Sequence, residues 1–398
     1  MTDQVTASAA QQRARLVELL TANGSIRTDP VRRAFAEVAR DHFVPRFQKS
    51  TRDPASSGHR WIDAAEQHDE WLRGVYRDEV LIVQTRPAPD LIDPNGGPTS
   101  SSSMPSVMAG MLEALDLRPG MRVLEIGTGT GYNTALLCHL AGAENVVSIE
   151  LDPDLAAAAR HALHKLDLHP AVRVGDGRAP LPREAPFDRI IVTASADHVP
   201  PDWITALADE GAIVVDLRGS LGGGLARLTK TGDDLVDGHF LGVDGAFMPL
   251  RARHDSPHRD DESWDRPFDV TNPAQGQTWT DPDLLTDPTF RLITQCHFGG
   301  KRLRGFLPDF ESPTWSGRAV DGSWFSVDAE AHHPSGRRGV EQGGPQRLWD
   351  TVTAAREAWD QLDRPAITDL RIVAYDHTSL QHIECGHGDV TLRWPLPL

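Results

Sequence analysis

Between residues 105 and 250, short apolar segments rich in β-branched residues alternate with segments that have a helical pattern. The apolar segments are 122–126, 146–149, 171–174, 189–193 and 212–217. Parallel strands are usually connected by a crossover helix, and strands buried on both faces are continuously apolar. The sequence therefore predicts an α/β fold with a doubly wound, mainly parallel, Rossmann-like sheet.

Two other regions precede this core in the sequence. Residues 7–48 predict two helices, the second with Thr28 as its N-cap and Pro30 near its first position. Residues 50–104 are irregular, and the stretch 86–105 is rich in Pro, Gly and Ser, which by composition alone favours a flexible linker.

The tail has a different composition, since seven of the ten tryptophans follow residue 251. A helical pattern at 346–362 and three strand patterns after it predict a small α+β domain. We therefore divide the chain into N-terminal helices with an insert (1–104), the α/β core (105–252), a polar linker (253–273) and a C-terminal accessory domain (274–398).

Charge and cysteine content narrow the possible partners. The formal net charge is −17, from 40 basic and 57 acidic residues, which disfavours nucleic acid and anionic membranes as partners. No apolar run is long enough to span a bilayer, and the N-terminus has no basic segment followed by an apolar one. The three cysteines are scattered, which predicts a cytoplasmic protein without disulfides.

A metal site is not expected. His382, Glu384, Cys385 and His387 form the only cluster of the right residue types, with His382 and Glu384 on one face of a predicted strand. No second ligand set lies nearby in sequence, and seventeen histidines make such groupings common.

The strongest local signal is a glycine-rich turn, residues 127–131, between a predicted strand and a helix. Glycines allow a ligand to approach the backbone, and a helix start offers unpaired N–H groups. Glu150 ends the next strand and can accept hydrogen bonds from ribose hydroxyls, while Asp176 after the third strand can accept one from an exocyclic amine. Three such contacts at successive strand ends predict a nucleoside site.

The nucleoside is more consistent with S-adenosylmethionine than with NAD. The third glycine comes one residue earlier than in the dinucleotide fingerprint, and the carboxylate of Glu125 precedes the turn. A carboxylate repels pyrophosphate but suits a ligand with a sulfonium and an ammonium group. The expected cofactor-binding residues are Ser102, Glu125, Gly127, Thr128, Gly129, Gly131, Glu150, Leu151, Gly175, Asp176 and Gly177.

Six motifs in order resemble the protein-L-isoaspartate (D-aspartate) O-methyltransferase family over residues 12–252. They are Phe43-Val44-Pro45-Arg46, Ser103-Met104-Pro105, the run 123–132, Gly175-Asp176-Gly177, the run 187–194 and Phe247-Met248-Pro249-Leu250. The resemblance implies an S-adenosylmethionine-dependent carboxyl methyltransferase. It also places Ser103 at the position of the family's active-site serine, which faces the substrate carboxylate, and leaves Ser100 and Ser102 as loop residues.

Two departures from the family concern the substrate side. Where the family has Pro-Val-Gly after its fifth strand, this chain has Asp216-Leu217-Arg218-Gly219, so Asp216 and Arg218 are candidate substrate-binding residues. A solvated strand end explains the same charged pair equally well. The insert and the tail also exceed the length of housekeeping repair members.

In length, opening segment and the stretch 70–79, the chain resembles the long form of the family that accompanies biosynthesis of ribosomal peptides, the graspetides and lanthipeptides. That resemblance implies methylation of an Asp or isoAsp in a modified, macrocyclic precursor peptide, followed by closure of the ester to an aspartimide. General isoaspartate repair and a non-enzymatic, cofactor-binding peptide carrier are the alternatives.

Overall fold

The computed structural model describes residues 2–50, 59–86, 97–179, 184–251, 273–308, 314–330, 336–377 and 380–397. Its residues group into two compact units. Unit 1 contains residues 1–194, 205–215 and 247–257, and unit 2 contains 195–204, 216–246 and 258–398. These boundaries differ from the sequence-based division, which stays a prediction; its linker lies almost wholly outside the described residues.

Unit 1 opens with helices α1 (Thr2–Ala22) and α2 (Asp29–Glu37). Thr28 directly precedes α2, and Pro30 lies in its first turn, as predicted. The Thr28 side chain does not cap the helix, because its hydroxyl donates instead to Glu113 at 3.1 Å. The apolar side of α2, with Val31 and Phe35, is buried.

The region between α2 and the core is more ordered than its composition suggests. It contains strands β1 (Arg46–Ser50) and β2 (His59–Asp63), helix α3 (His68–Val75), and strands β3 (Leu81–Arg86) and β4 (Gly97–Ser102). The strands form an antiparallel sheet in the order β2-β1-β3-β4. The linker expected from composition is thus wrong for 97–102, because pairing with β3 supplies the order that the Gly-Pro-Thr-Ser sequence lacks.

The parallel sheet of unit 1 follows the sequence prediction. Its elements are α4 (Pro105–Leu115), β5 (Val123–Ile126), α5 (Tyr132–Ala141), β6 (Val146–Glu150), α6 (Pro153–His164), β7 (Ala171–Val174) and β8 (Phe187–Ala196). After α7 (Pro201–Ala206) comes β9 (Leu207–Arg218), and the strand order is β9-β8-β5-β6-β7. β5 is parallel to β6 and β8, and β6 is parallel to β7. All of β5 and β6 is buried, as expected for strands covered on both faces.

Unit 2 contains two antiparallel sheets. The first has the order β10-β11-β17-β18-β19 and is made of β10 (Gly223–Gly232), β11 (Leu235–Phe240), β17 (Arg371–Tyr375), β18 (His382–His387) and β19 (Val390–Pro395). The second has the order β12-β16-β15-β14-β13 and is made of β12 (Ala274–Thr278), β13 (Leu303–Pro308), β14 (Thr314–Ala319), β15 (Trp324–Asp328) and β16 (Arg338–Gly343).

Helices α8 (Pro288–Phe298) and α9 (Leu348–Gln361) pack together in unit 2 through Phe290 and Trp359, whose ring centroids are 5.4 Å apart. The predicted helix and three strands of the tail correspond to α9 and β17–β19. Most of the described tryptophans of the tail are buried, as expected for an internal core, whereas Trp279 is 60% exposed.

Candidate functional site

A cavity opens in unit 1 at the carboxyl ends of β5 and β6, where open α/β sheets bind ligands. Nine of the expected site residues line it. They are Ser102, Ser103, Gly127, Thr128, Gly129, Glu150, Leu151, Gly175 and Gly177. Residues that are more than 70 positions apart in the sequence therefore meet at one site.

The glycine turn requires glycine for steric reasons. Gly127 has φ +96°, and a Cβ there would lie 2.6 Å from the hydroxyl oxygen of Thr193. The Thr193 hydroxyl in turn donates to the carbonyl of Gly127 at 2.6 Å. This close fit between the turn and β8 leaves no room for a side chain and keeps the backbone of the turn at the cavity surface.

Glu150 is the best-placed acceptor in the cavity. It ends β6 and is 93% buried, and its two carboxylate oxygens accept from the backbone N–H groups of Gly129 at 2.9 Å and Asp152 at 3.0 Å. These bonds hold the carboxylate at a fixed place beside the glycine turn. Each oxygen keeps further lone pairs that can accept from ligand hydroxyl groups.

Glu125 was expected to contact the cofactor directly, but it does not line the cavity. It is fully buried, and it accepts hydrogen bonds from Asn133 Nδ2 at 2.7 Å, from Ser148 Oγ at 2.6 Å and from the Thr134 hydroxyl. These donors surround the carboxylate because Ser148 lies opposite Glu125 on the paired strand β6, while Asn133 and Thr134 begin α5, which follows β5 after the glycine turn. Burial raises the pKa of Glu125 to about 7, although the three donors oppose the rise.

The raised pKa predicts a pH-dependent stability. The unfolded carboxyl ionises near its ordinary 4.5 and the folded one near 7, so between these values the folded state binds more protons. The free energy of unfolding should therefore fall by about 3 kcal/mol as the pH rises from 4.5 to 7.5. Glu125→Gln should abolish this slope, as measured by denaturant unfolding at several pH values. Exposed Glu18→Gln is the control, and an unchanged slope in Glu125→Gln would contradict the assignment.

Strand β4 and the residue after it supply the serines of the cavity. Thr99 and Ser100–Ser103 all line it, and β4 is the edge strand of its sheet. Ser102 is buried, and its hydroxyl accepts from Nε of Arg40 at 3.2 Å. We refer to residues 99–103 as the serine strand.

Arg40, which sequence reasoning missed, supports this serine strand from behind. It is fully buried, and its guanidinium donates to the carbonyl oxygens of Ser102 and Ser103 at 3.1 and 2.9 Å. The other carbonyl acceptors, at 3.0 to 3.2 Å, are Val75, Arg77 and Glu79. Burial lowers the pKa of Arg40 to about 10, so it stays charged at neutral pH. The sequence signal that could have indicated Arg40 is its position three residues before the motif Phe43-Val44-Pro45-Arg46.

The closing motif also reaches the cavity. Met248, Pro249 and Leu250 line it, and so does the next residue, Arg251, which donates to the carbonyl of Thr99 at 2.9 Å. The motif was recognised in the sequence, but none of its residues was assigned to the site. Other lining residues that were not predicted are Thr99, Ser100, Ser101, Met108, Ile126, Thr130, Tyr132, Asn133, Ile149, Leu155, Thr193 and Ala194.

The remaining expected residues do not line this cavity. Gly131 is the N-cap of α5 with φ +87°, and Asp176 accepts from the backbone N–H of Arg178 at 2.9 Å. Asp216 and Arg218 lie at the end of β9, which extends past the residues of unit 1 into unit 2, and they pair with each other at 3.0 Å. Asp216 is fully buried, so this ion pair is structural rather than a solvated strand end.

The cluster of residue types that can bind metals, His382 to His387, has Glu384 engaged in ion pairs. Glu384 accepts from Arg371 and Arg393, each at 2.9 Å, and lies 3.5 Å from Nε2 of His382. Among the described residues, no group of three or more His, Cys, Asp or Glu side chains could hold a metal ion. Likewise, no helix in the described part of the chain is long and apolar enough to cross a membrane.

Comparisons with a family model and with known proteins point to the same family. The family model "Protein-L-isoaspartate(D-aspartate) O-methyltransferase (PCMT)" matches residues 64–254. The protein-L-isoaspartate O-methyltransferase of Korarchaeum cryptofilum is 32% identical over 253 residues, which cover 61% of this chain and 97% of that protein. The enzyme of the same name from Pyrobaculum islandicum is 33% identical over 241 residues, covering 60% and 98%.

A solved structure named protein-L-isoaspartate O-methyltransferase has the same fold, with a TM-score of 0.53 at 23% identity. The match covers 94% of this chain and all of that one, so it extends well into the tail.

Proposed function

The chain belongs to the protein-L-isoaspartate O-methyltransferase family, and from this premise we propose that it methylates an Asp or isoAsp carboxylate in a modified precursor peptide. The enzyme is an S-adenosylmethionine-dependent carboxyl methyltransferase. The observation that carries the proposal is that the glycine turn and Glu150 share one cavity with the serine strand. The cofactor and the substrate carboxylate that accepts the methyl group can thus meet in the same cavity.

The cavity suits S-adenosylmethionine, which supplies an electrophilic methyl group on a sulfonium centre. Glu150 would accept from the ribose hydroxyls, and the glycine turn allows close approach to the backbone. Asn133 also lines the cavity, and its Oδ1 is buried with no hydrogen-bond partner among the described residues. An unused acceptor, on a side chain whose amide nitrogen is bound to Glu125, suits a ligand that carries an ammonium group.

Transfer to a carboxylate needs little proton chemistry. A carboxylate has an ordinary pKa near 4, so at neutral pH it attacks without a general base. The carbon–oxygen bond forms as the carbon–sulfur bond breaks, and its electron pair stays on sulfur. The task of the chain is then to hold the acceptor and exclude water, and the Ser103 hydroxyl can donate one hydrogen bond to the carboxylate.

The finer part of the proposal concerns the substrate and the product. On a methyl ester of Asp or isoAsp, attack by the next backbone nitrogen expels methanol and closes an aspartimide. Contacts of the insert between α2 and the core favour a specialised binding site for the substrate. Arg40 donates both to three carbonyl groups of the insert, those of Val75, Arg77 and Glu79, and to the serine strand. The three buried, free cysteines, Cys138, Cys296 and Cys385, are consistent with the cytoplasmic location proposed for such an enzyme.

Unit 2 is proposed to dock the precursor peptide. Exposed Trp279 has the guanidinium of Arg337 5.2 Å from its ring centroid, and both residue types are favoured anchors at interfaces. The other candidate is the basic cluster Lys301, Arg302 and Arg304, of which the Arg304 side chain lies outside the described residues.

General isoaspartate repair is the second candidate, favoured by the names of the relatives and by the solved structure that matches most of the tail. Two synthetic substrates separate the candidates: a macrocyclic peptide with one Asp, and a linear peptide with one isoAsp. If the enzyme modifies a precursor peptide, mass spectrometry should show a methyl ester and then loss of methanol on the macrocycle alone. Efficient methylation of the linear peptide alone favours repair, and cofactor binding without any turnover favours the peptide carrier.

Ser103→Ala should lower kcat/KM for methyl transfer about 10- to 100-fold, since a hydrogen bond to a charged group contributes about 1.5–3 kcal/mol. The binding of S-adenosylhomocysteine, measured by calorimetry, should stay unchanged. Ser101→Ala is the matched control, because Ser101 also lines the cavity but does not occupy the family's active-site position. Turnover by Ser103→Ala equal to that of the control would disprove the role.

A further inference from the structure

Arg251 is a charged cavity residue that takes no part in the proposed binding of the cofactor. It follows the closing motif, is half-buried and lines the cavity. One terminal nitrogen donates to the carbonyl of Thr99 at 2.9 Å, which anchors the guanidinium at the start of the serine strand.

The charges of the cavity make this position notable. Among the described residues that line it, Glu150 and Arg251 are the two with charged side chains. Glu150 already accepts from two backbone N–H groups. In the described part of the chain, Nε and the second terminal nitrogen of Arg251 have no hydrogen-bond partner. A guanidinium has five donors in a planar fork that fits a carboxylate, so most of its capacity is available to a ligand.

The spacing along the serine strand limits which carboxylate this can be. Thr99 and Ser103 are four residues apart, and an extended strand rises about 3.3 Å per residue, so they are separated by up to about 13 Å. Ser103 and the guanidinium held at Thr99 are thus two separate contact points along the strand. A peptide bound along the cavity can use both, if it carries a second carboxylate a few residues from the acceptor.

We propose that Arg251 binds a second carboxylate of the substrate, flanking the methylated residue, and so selects acidic peptides. This inference rests on the proposed function for the identity of the acceptor. It explains how a chain with net charge −17 can recruit an acidic substrate, since a local cation inside the cavity acts where the overall charge repels.

The test uses the full-length protein and synthetic peptides, each made as a macrocycle with one Asp acceptor and as a linear peptide with one isoAsp acceptor. Each peptide carries Glu or Gln at one position, placed in turn one to four residues on either side of the acceptor. Wild type should prefer the Glu form at one position or more by about tenfold in kcat/KM, equivalent to about 1.4 kcal/mol. Arg251→Gln should remove the preference by raising KM, with kcat and S-adenosylhomocysteine binding unchanged. Exposed Arg118→Gln is the control.

The proposal is overturned if wild type shows no preference, if Arg251→Gln retains it, or if the variant slows all peptides equally. If wild type methylates none of the peptides, the proposed transfer fails instead. In that case, a binding measurement still decides the role of Arg251. Fluorescence anisotropy reports whether the labelled Glu peptide binds to the protein loaded with S-adenosylhomocysteine. Binding that Arg251→Gln loses supports the inference, and binding that it keeps, or no binding by wild type, overturns it.

Discussion

Arg40→Met is expected to lower the free energy of unfolding by about 3–5 kcal/mol and also to slow methyl transfer. The substitution removes one charged donor from each of five buried or partly buried carbonyl groups. Because two of these carbonyls belong to Ser102 and Ser103, the loss of the guanidinium should also loosen Ser103, the proposed active-site serine. Arg40 is thus a positioning residue, which acts through the serine strand.

Stability and catalysis can be separated experimentally. Arg189→Met is the matched control, because Arg189 is also buried and donates to carbonyl oxygens, those of Leu115 and Asp188. Denaturant unfolding should show a loss for both variants. At a temperature where both are folded, kcat should fall for Arg40→Met and not for Arg189→Met, and Arg40→Lys, which keeps the charge without the planar fork, should restore part of it. Equal kcat values for the two methionine variants would reduce Arg40 to a stability role.

Glu150→Ala is expected to weaken S-adenosylhomocysteine binding about 100-fold or more. The variant removes a carboxylate that lines the cavity, and two hydrogen bonds to a charged group are worth about 3 kcal/mol or more together. It also frees the N–H groups of Gly129 and Asp152, so the glycine turn loses a support.

Calorimetric titration with S-adenosylhomocysteine measures this loss directly. Exposed Glu144→Ala changes the net charge equally and is the control. Glu150→Gln, which keeps one acceptor oxygen, should fall between the two. If Glu150→Ala binds as tightly as Glu144→Ala, the cofactor does not use this carboxylate.

Much of the fold follows from the sequence because its signals are local. Each strand from β5 to β9 has its own apolar run, and each helix between them its own periodicity. The elements that were missed depend on pairing with distant segments. β4 is a strand because Ser101 and Ser102 pair with Ile82 and Leu81, and the composition of Gly97–Ser102 alone indicates a linker.

The same distinction holds for the site. The motifs predict the glycine turn, Glu150 and Ser103 as site residues, and the structure places them at one cavity, because they occupy fixed positions relative to strand ends. They also predict a direct contact of Glu125 with the cofactor, from its place before the turn. The structure instead surrounds its carboxylate with Asn133 and Ser148, and only tertiary packing shows these internal partners.

The sequence by itself determined the family, the parallel sheet and the class of cofactor, since these depend on short motifs in a fixed order. Tertiary structure alone decided which side chains support the serine strand at the cavity. Arg40 and Arg251 reach the serine strand from sequence separations of about 60 and 150 residues. No local pattern encodes such contacts, because they arise only when the chain folds and brings distant polar groups into one buried site, where each must find a partner.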